Sequence, residues 1–238
     1  RSMETSLVIP CFNEEGNIEN LIKKCKKFLS NEKNQLVLVN NGSSDNTEKE
    51  IDKYSNIPNL KKVNVSKNQG FGHGVLQGLH NSSGKILSYC HADNQTDPND
   101  VLIGLNLLSN IKDTNFFVKG NRVDRIKNNW ALSNFFMTFS MTIFETILFQ
   151  KILHDIHAQP VIFHKDFIEK LENPPKDFVF DVYVYYLAKK FKYKIIRFPV
   201  QFDIRNRLSG EGSNDTILKV IIRSWEQIVS SIILRFKI

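Results

Sequence analysis

The sequence predicts an α/β fold: a mostly parallel sheet flanked by helices, with amphipathic helices towards the C-terminal end. Three observations predict it. Short apolar runs alternate with segments of helical spacing through the first half of the chain. Polar turn clusters follow the first, second and fourth of those runs. Apolar residues make up 41% of the 238 residues and charged residues 24%, which excludes disordered and fibrous classes.

The elements follow in order. Leu7-Val8-Ile9, closed by Pro10, reads as a buried strand. Ile18, Leu21, Ile22, Cys25 and Leu29 then fall at helical spacing. Residues 36–39 form a second apolar strand, followed by the turn cluster Asn40-Asn41-Gly42-Ser43-Ser44-Asp45. Residues 47–54 have a helical pattern, and 60–65 alternate as a third strand. Residues 70–80 run from a glycine-rich loop into a helix, 86–90 form a fourth strand, and Pro98 opens a helix through Leu108. Residues 116–119 make a fifth strand. Such alternation implies βαβ units, and in these sheets ligands bind beyond the carboxyl ends of the strands. The clusters after Ile9, Val39 and Cys90 are therefore where chemistry is expected.

The second half is less regular. Residues 131–153 predict one or two apolar helices, 161–164 a strand, and 182–191 a helix. Residues 194–202 predict a strand that Pro199 directs to a sheet edge. A loop with Gly210 and Gly212 follows over 208–214, then a last helix over 215–236. No repeat or linker divides the chain. The expectation is a single domain over 3–238, with Met3 read as the native start, a donor half over 3–125 and an acceptor half over 126–238.

Lys+Arg total 32 against 25 Asp+Glu, a net charge of +7 that suits an anionic partner. Nucleic acid is not expected, because no basic residues interleave with aromatics in a recognition motif. Cys11, Cys25 and Cys90 form no CxxC pair and read as reduced thiols of a cytoplasmic protein. A secretory leader is not expected, because the first residues show no basic and then apolar stretch. No run supplies the ~20 apolar residues a membrane span needs.

Four clusters carry candidate chemistry. Pro10, Phe12 and Glu14 follow the first strand, where acids at a helix start are also simple caps. Asn40 opens the second cluster. Gly70 and Gly72 stand in Asn68-Gln69-Gly70-Phe71-Gly72, where missing side chains let backbone approach a ligand. His91, Asp93 and Gln95 alternate around Ala92 just past the fourth strand. Alternate residues share a face in extended backbone, so imidazole, carboxylate and amide could converge on one Mg²⁺ or Mn²⁺.

In order and spacing these clusters resemble the family 2 glycosyltransferases of the GT-A type. The likeness is greatest to the branch of dolichyl-phosphate mannose synthases and related polyprenyl-phosphate sugar transferases. Residues 8–14 match V-I-P-x-[YF]-N-E. Residues 39–47 match V-D-D-G-S-x-D-x-T except that Asn40-Asn41 replace two aspartates. Asn68, Gly70, Gly72 and Gly78 match the glycine stretch. His91-Ala92-Asp93-Asn94-Gln95 stands at the D-A-D-x-Q metal motif, with His91 in place of an aspartate. Gly120-Asn121-Arg122, Asp155–Pro160, Phe180-Asp181 and Arg207–Glu211 match later motifs.

The resemblance implies a GT-A-like fold and an inverting transfer from a nucleotide-sugar donor to a polyprenyl-phosphate or other lipid-linked acceptor. It implies that Pro10, Phe12, Glu14, Asn40, Gly70, Gly72 and Ala92 line the donor pocket. It implies that His91, Asp93 and Gln95 hold the metal, Mg²⁺ or Mn²⁺. Arg122 and Arg207 are then the phosphate-contacting cations, since a guanidinium fork matches phosphate oxygens. A hydroxyl acceptor also needs a general base; Asp155 is the first candidate by position and Asp181 the second. The alternatives are transfer to a hydroxyl of a surface or soluble glycan, and a non-catalytic nucleotide-sugar-binding protein.

Residues 216–238 carry four cations against Glu226, and Leu218, Ile221, Trp225, Ile228, Val229, Ile232 and Phe236 fall on one helical stripe. An interfacial helix at the cytosolic face of a membrane has this character. The Phe-rich stretch 135–149 offers a second contact. Packing on the domain core or on a second subunit of a homodimer is the other way to cover both stripes.

Overall fold

The computed structural model describes residues 4–93, 95–123, 132–201 and 217–238. In chain order these form β1 (Thr5–Cys11), α1 (Ile18–Leu29), β2 (Asn34–Asn41), α2 (Thr47–Asp52), β3 (Leu60–Val65), α3 (Phe71–His80), β4 (Ile86–Tyr89) and α4 (Asp100–Asn106). Then follow β5 (Phe116–Val123), α5 (Leu132–Phe149), β6 (Val161–His164), α6 (Phe180–Lys190), β7 (Lys194–Gln201) and α7 (Ile217–Lys237). A short 3₁₀ turn, Lys165–Lys170, leads out of β6.

The strands make one seven-stranded sheet in the order β3-β2-β1-β4-β6-β5-β7. β6 runs antiparallel to both neighbours, and every other pairing is parallel. β7 lies at the edge, where Pro199, having no N–H to donate, is tolerated. β5 runs to Val123, four residues past the expected end at Lys119, because β7 pairs along its whole length, from Phe116↔Lys194 to Val123↔Gln201. That extension makes Arg122 a strand residue.

Alternation along the strands fills two apolar layers. Leu7, Ile9, Leu36 and Leu38 face α1, α2 and α4. Val8, Val37, Val39, Phe117 and Phe163 face α3 and α6, with Phe149 of α5 and Leu234 of α7 in the same layer. Burying each such side chain contributes on the order of 1.5–3 kcal/mol, so both faces hold the sheet in place. The chain turns between β1 and β4, which have β2–β3 on one side and β6–β5–β7 on the other. A crevice opens at such a switch point, beyond the carboxyl ends of the strands.

Candidate active site

The crevice is a cavity of about 830 Å³. Pro10 enters its wall from the end of β1, Phe12 and Glu14 from the turn that follows, Asn41 from the end of β2, and His91, Ala92 and Asp93 from the turn after β4. Asn68, Gly70 and Phe71 lead into α3, and Asp177, Phe178 and Val179 lead into α6. Arg223, Glu226, Gln227 and Ser230, one face of α7, close the remaining side together with His157. Both halves of the chain thus build one cavity.

The first two turns brace one another. Glu14 donates its backbone N–H to Thr47 Oγ1 at 2.8 Å, and Ser44 N donates to Asn13 Oδ1 at 2.9 Å. Asn13 adopts φ +53°, a left-handed conformation that asparagine tolerates. The Glu14 carboxylate, buried on the wall, accepts from Asn17 Nδ2.

Asn40 and Asn41 part company, because adjacent residues of a strand point to opposite faces. The expectation named Asn40 as the donor-pocket residue. The structure instead turns Asn40 to Asn64 and to the backbone of Ser43 and places Asn41 on the cavity wall. Asn41 Nδ2 donates to Gly70 O at 3.1 Å, while its buried Oδ1 has no hydrogen-bond partner among the described residues.

The glycines differ too. Gly70 lies on the wall at φ +113°, and a Cβ there would collide with the Lys176 carbonyl oxygen. Gly72 is off the wall: a Cβ there would meet Phe180 Cβ and Pro175 O, both at 2.6 Å. Its small size serves the packing of α3 on the approach to α6, not a ligand.

Of the expected metal ligands, His91 and Asp93 face the cavity and Gln95 does not line it. The Gln95 backbone N–H instead donates to Asp93 Oδ1 at 3.1 Å, a turn that fixes the carboxylate. The His91 ring packs on Phe71 with centroids 4.6 Å apart, and Phe71 stacks on Phe178 at 5.2 Å. Burial pushes the imidazole below its ordinary pKa, against the pull of Asp93 and Asp181. It is therefore held neutral, the form that ligates a metal. Among the described residues no three His, Cys, Asp or Glu side chains cluster as a complete metal site. A two-donor site fits an ion that takes its remaining ligands from water and substrate phosphates.

Asp155 sits off the cavity, with its side chain fully buried. Its Oδ1 accepts from Arg122 Nε at 2.8 Å and Nη2 at 2.6 Å, and its Oδ2 accepts from the Arg122 backbone N–H at 2.7 Å. Arg197 approaches at 3.9 Å. A carboxylate so engaged orients the guanidinium and has no open path to an acceptor. Arg122 lines a second, smaller cavity of about 150 Å³ with Met141, Thr142, Ile156, His157, Ser224 and Gln227. Arg207 and the 208–214 loop lie outside the described residues.

Asp181, the second candidate base, is buried at the start of α6. Its Oδ1 accepts from the Tyr89 hydroxyl at 2.7 Å, and its Oδ2 lies 3.1 Å from His157 Nδ1. Burial alone would raise its pKa, but the His157 hydrogen bond and the charges of His157, Lys119 and His91 hold it at about 2. Lys119 is buried nearby with its Nζ donating to Ala158 O at 2.6 Å. Burial lowers its pKa to about 7.

Sequence reasoning missed Asn41, Phe178 and the α7 wall. Arg223, Glu226, Gln227 and Ser230 do carry a legible signal, a polar stripe at spacings of three and four along an otherwise apolar helix.

A crevice at the switch point of a mostly parallel sheet, with the Asp93 carboxylate past β4 and Arg223 of α7 on the wall, fits the GT-A class of sugar-transferring enzymes. The glycosyl transferase family 2 model matches residues 6–172, and the chain belongs to that family. A dolichol-phosphate mannosyltransferase of Pyrococcus furiosus is 24% identical over 97% of this chain and 67% of its own length. A dolichyl-phosphate beta-glucosyltransferase of Drosophila melanogaster is 25% identical over 80% of this chain and 64% of its own. An undecaprenyl-phosphate 4-deoxy-4-formamido-L-arabinose transferase of Proteus mirabilis is 30% identical, over 41% of this chain and 31% of its own. The chain thus spans one to two thirds of these relatives. Glucosyl-3-phosphoglycerate synthase of Mycobacterium tuberculosis, solved with Mn²⁺, UDP and phosphoglyceric acid, shares the fold. The TM-score is 0.72 at 15% identity, over 98% of this chain and 78% of that one. A mannosyltransferase of Pyrobaculum calidifontis, solved with GDP-Man and Mn²⁺, superposes with a TM-score of 0.62 at 15% identity, over 89% of this chain and 59% of that one.

Proposed function

We propose that this glycosyltransferase moves a sugar, with inversion, from a nucleotide-sugar to a polyprenyl-phosphate acceptor at the cytosolic surface of a membrane. The observation that carries the reading is the single cavity into which Asp93, His91 and Asn41 face from the strand ends and Arg223 from α7. The nucleoside fits along Pro10, Phe12, Glu14 and Asn41, and the diphosphate fits between Asp93 and Arg223. A divalent cation held by Asp93 and His91 would neutralise charge on the departing diphosphate. Arg122, oriented by Asp155, is the cation nearest an acceptor phosphate in the smaller cavity. The relatives that act on lipid phosphates support this choice of acceptor.

Membrane contact has its own support. No helix of the described residues is long and apolar enough to cross a membrane. α5 packs against α7, and both present apolar side chains outward. Phe139, Ile143 and Ile147 of α5 are exposed, as are Ile221, Trp225, Val229 and Phe236 of α7. Arg223, Arg235 and Lys237 lie on the same helix as the second set.

The test is transfer from a panel of radiolabelled nucleotide-sugars to a polyprenyl phosphate in detergent, with Mn²⁺, Mg²⁺ or chelator. Metal-stimulated product is expected, lost by at least about 100-fold in Asp93→Ala, the scale on which removing one charge-stabilising group acts. Nucleotide-sugar binding without turnover would establish the non-catalytic reading instead. Product formed only with glycan hydroxyls would establish that alternative acceptor.

A further inference from the structure

We infer that His157 is the acid–base group on the acceptor side of the site, with Asp181 as its positioning residue; this rests on the glycosyl-transfer reading. Three observations point to it. First, the ring stands where the two cavities meet and lines both. Its side chain keeps 30% exposure, whereas that of Asp181 has none. Second, Asp181 is ionised and can only accept, so Nδ1, 3.1 Å away, is the nitrogen whose proton faces it, and Nε2 is the nitrogen turned to the cavities. The Tyr89 hydroxyl, 2.7 Å from the other carboxylate oxygen, fixes the carboxylate in turn. Third, Gln227 of α7 places its amide nitrogen 3.1 Å from Nε2, where an N–H donates to a lone pair. An acceptor O–H arriving at the junction takes the place of that amide.

A base, a buried carboxylate that orients it, and a third group that orients the carboxylate form a recognised functional arrangement. Asp155 cannot fill the role, because it lines neither cavity and its oxygens accept from Arg122. The charged groups around His157 come from several elements. Asp181 lies on α6, His91 beyond β4, Arg122 and Lys119 on β5, Glu145 on α5, and Arg223 and Glu226 on α7.

The step balances as follows. The acceptor O–H bond breaks and its proton passes to His157 Nε2. The oxygen's electron pair forms the bond to the anomeric carbon. The bond from that carbon to the diphosphate breaks, and its electron pair leaves with the nucleoside diphosphate. Asp181 carries the imidazolium charge until the proton returns to solvent. The O–H is the last proton of a phosphate monoester, with a pKa of about 6, or a glycan hydroxyl.

The experiment compares the full chain with His157→Gln and Asp181→Asn. His157→Gln should lower kcat by about 100-fold, the usual contribution of a general base, with nucleoside diphosphate affinity by calorimetry changed less than about twofold. With a lipid phosphate the loss should shrink from pH 6 to pH 8, as the acceptor sheds its own proton. With a glycan hydroxyl it should persist. Long-range ¹⁵N–¹H spectra of the wild type should show His157 protonated on Nδ1, and Asp181→Asn should shift that preference towards Nε2. Unchanged kcat at pH 6, a rise in acceptor KM alone, or an Nε2–H tautomer in the wild type would overturn the inference. The tautomer is read without turnover. A wild type that transfers to no acceptor therefore counts against the glycosyl-transfer reading, while His157 is still judged by its spectrum.

Discussion

Arg122 and Asp155 join two segments 33 residues apart through three hydrogen bonds, two from the guanidinium and one from the backbone. The Arg122 side chain is 9% exposed and that of Asp155 wholly buried. The arrangement ties the end of β5 to the loop that carries His157 into the site.

Removing one partner of a buried pair leaves the other charged and unsolvated. Asp155→Ala should therefore destabilise the fold by about 3–5 kcal/mol in urea titration. Asp155→Asn keeps an acceptor for one guanidinium N–H and should cost less. A change below about 1 kcal/mol in the alanine variant would show that the pair adds little.

Asn41 and Asn40 should separate in nucleotide binding. Asn41→Ala removes a wall residue whose Oδ1 has no partner among the described residues, and should weaken nucleoside diphosphate binding about tenfold, or 1.4 kcal/mol. Asn40→Ala, off the wall, should leave affinity within about twofold, a change of less than about 0.5 kcal/mol. Calorimetry on both variants checks the assignment, and equal effects would refute it.

Lys119 gives a pH signature. Its folded pKa of about 7 lies below the ordinary value of 10.5, so between those pH values the unfolded chain binds more protons than the folded one. Stability from this group therefore rises with pH across that window, by up to about 1.4 kcal/mol per unit, and its penalty is complete below pH 7. Lys119→Met lacks the group. The stability difference, wild type minus variant, should climb from pH 7 to pH 10; a flat difference would mean that the amine is not protonated differently in the two states.

The exposed stripe of α7 should bind anionic vesicles. Co-sedimentation should weaken as salt rises, since exposed charges are screened over ~10 Å at 0.1 M. Trp225→Glu and Phe236→Glu, both well exposed, should weaken it further without loss of folding. Protein that stays in the supernatant at low salt would leave the stripes to a second subunit.

The alternation of strands and helices was legible because each strand is buried on one or both faces, which writes apolar runs such as Leu36-Val37-Leu38-Val39 directly into the chain. The turn residues after β1, β2 and β4 were legible for a related reason: a parallel sheet brings its carboxyl ends together, so residues past those ends are neighbours before any contact is known. Pro10, Phe12, Glu14, Gly70, His91, Ala92 and Asp93 all reached the wall on that logic. What the tertiary structure alone decided depends on partners far away in sequence. The run Val161–His164 reads the same whether it pairs parallel or antiparallel, and only β4 and β5 on either side fix its direction. β5 ends at Val123 because β7 is there to pair with it. Asn40 and Asn41 are chemically alike, and only the strand's register in the sheet decided which of the two alternating faces meets the cavity. Asp155 looked like a base by position, but Arg122 met it first. His157 stands in the acceptor-side motif and was a candidate substrate contact from sequence, but its role as a base rests on Asp181, 24 residues on, because no local pattern records which nitrogen of a histidine a distant carboxylate will claim.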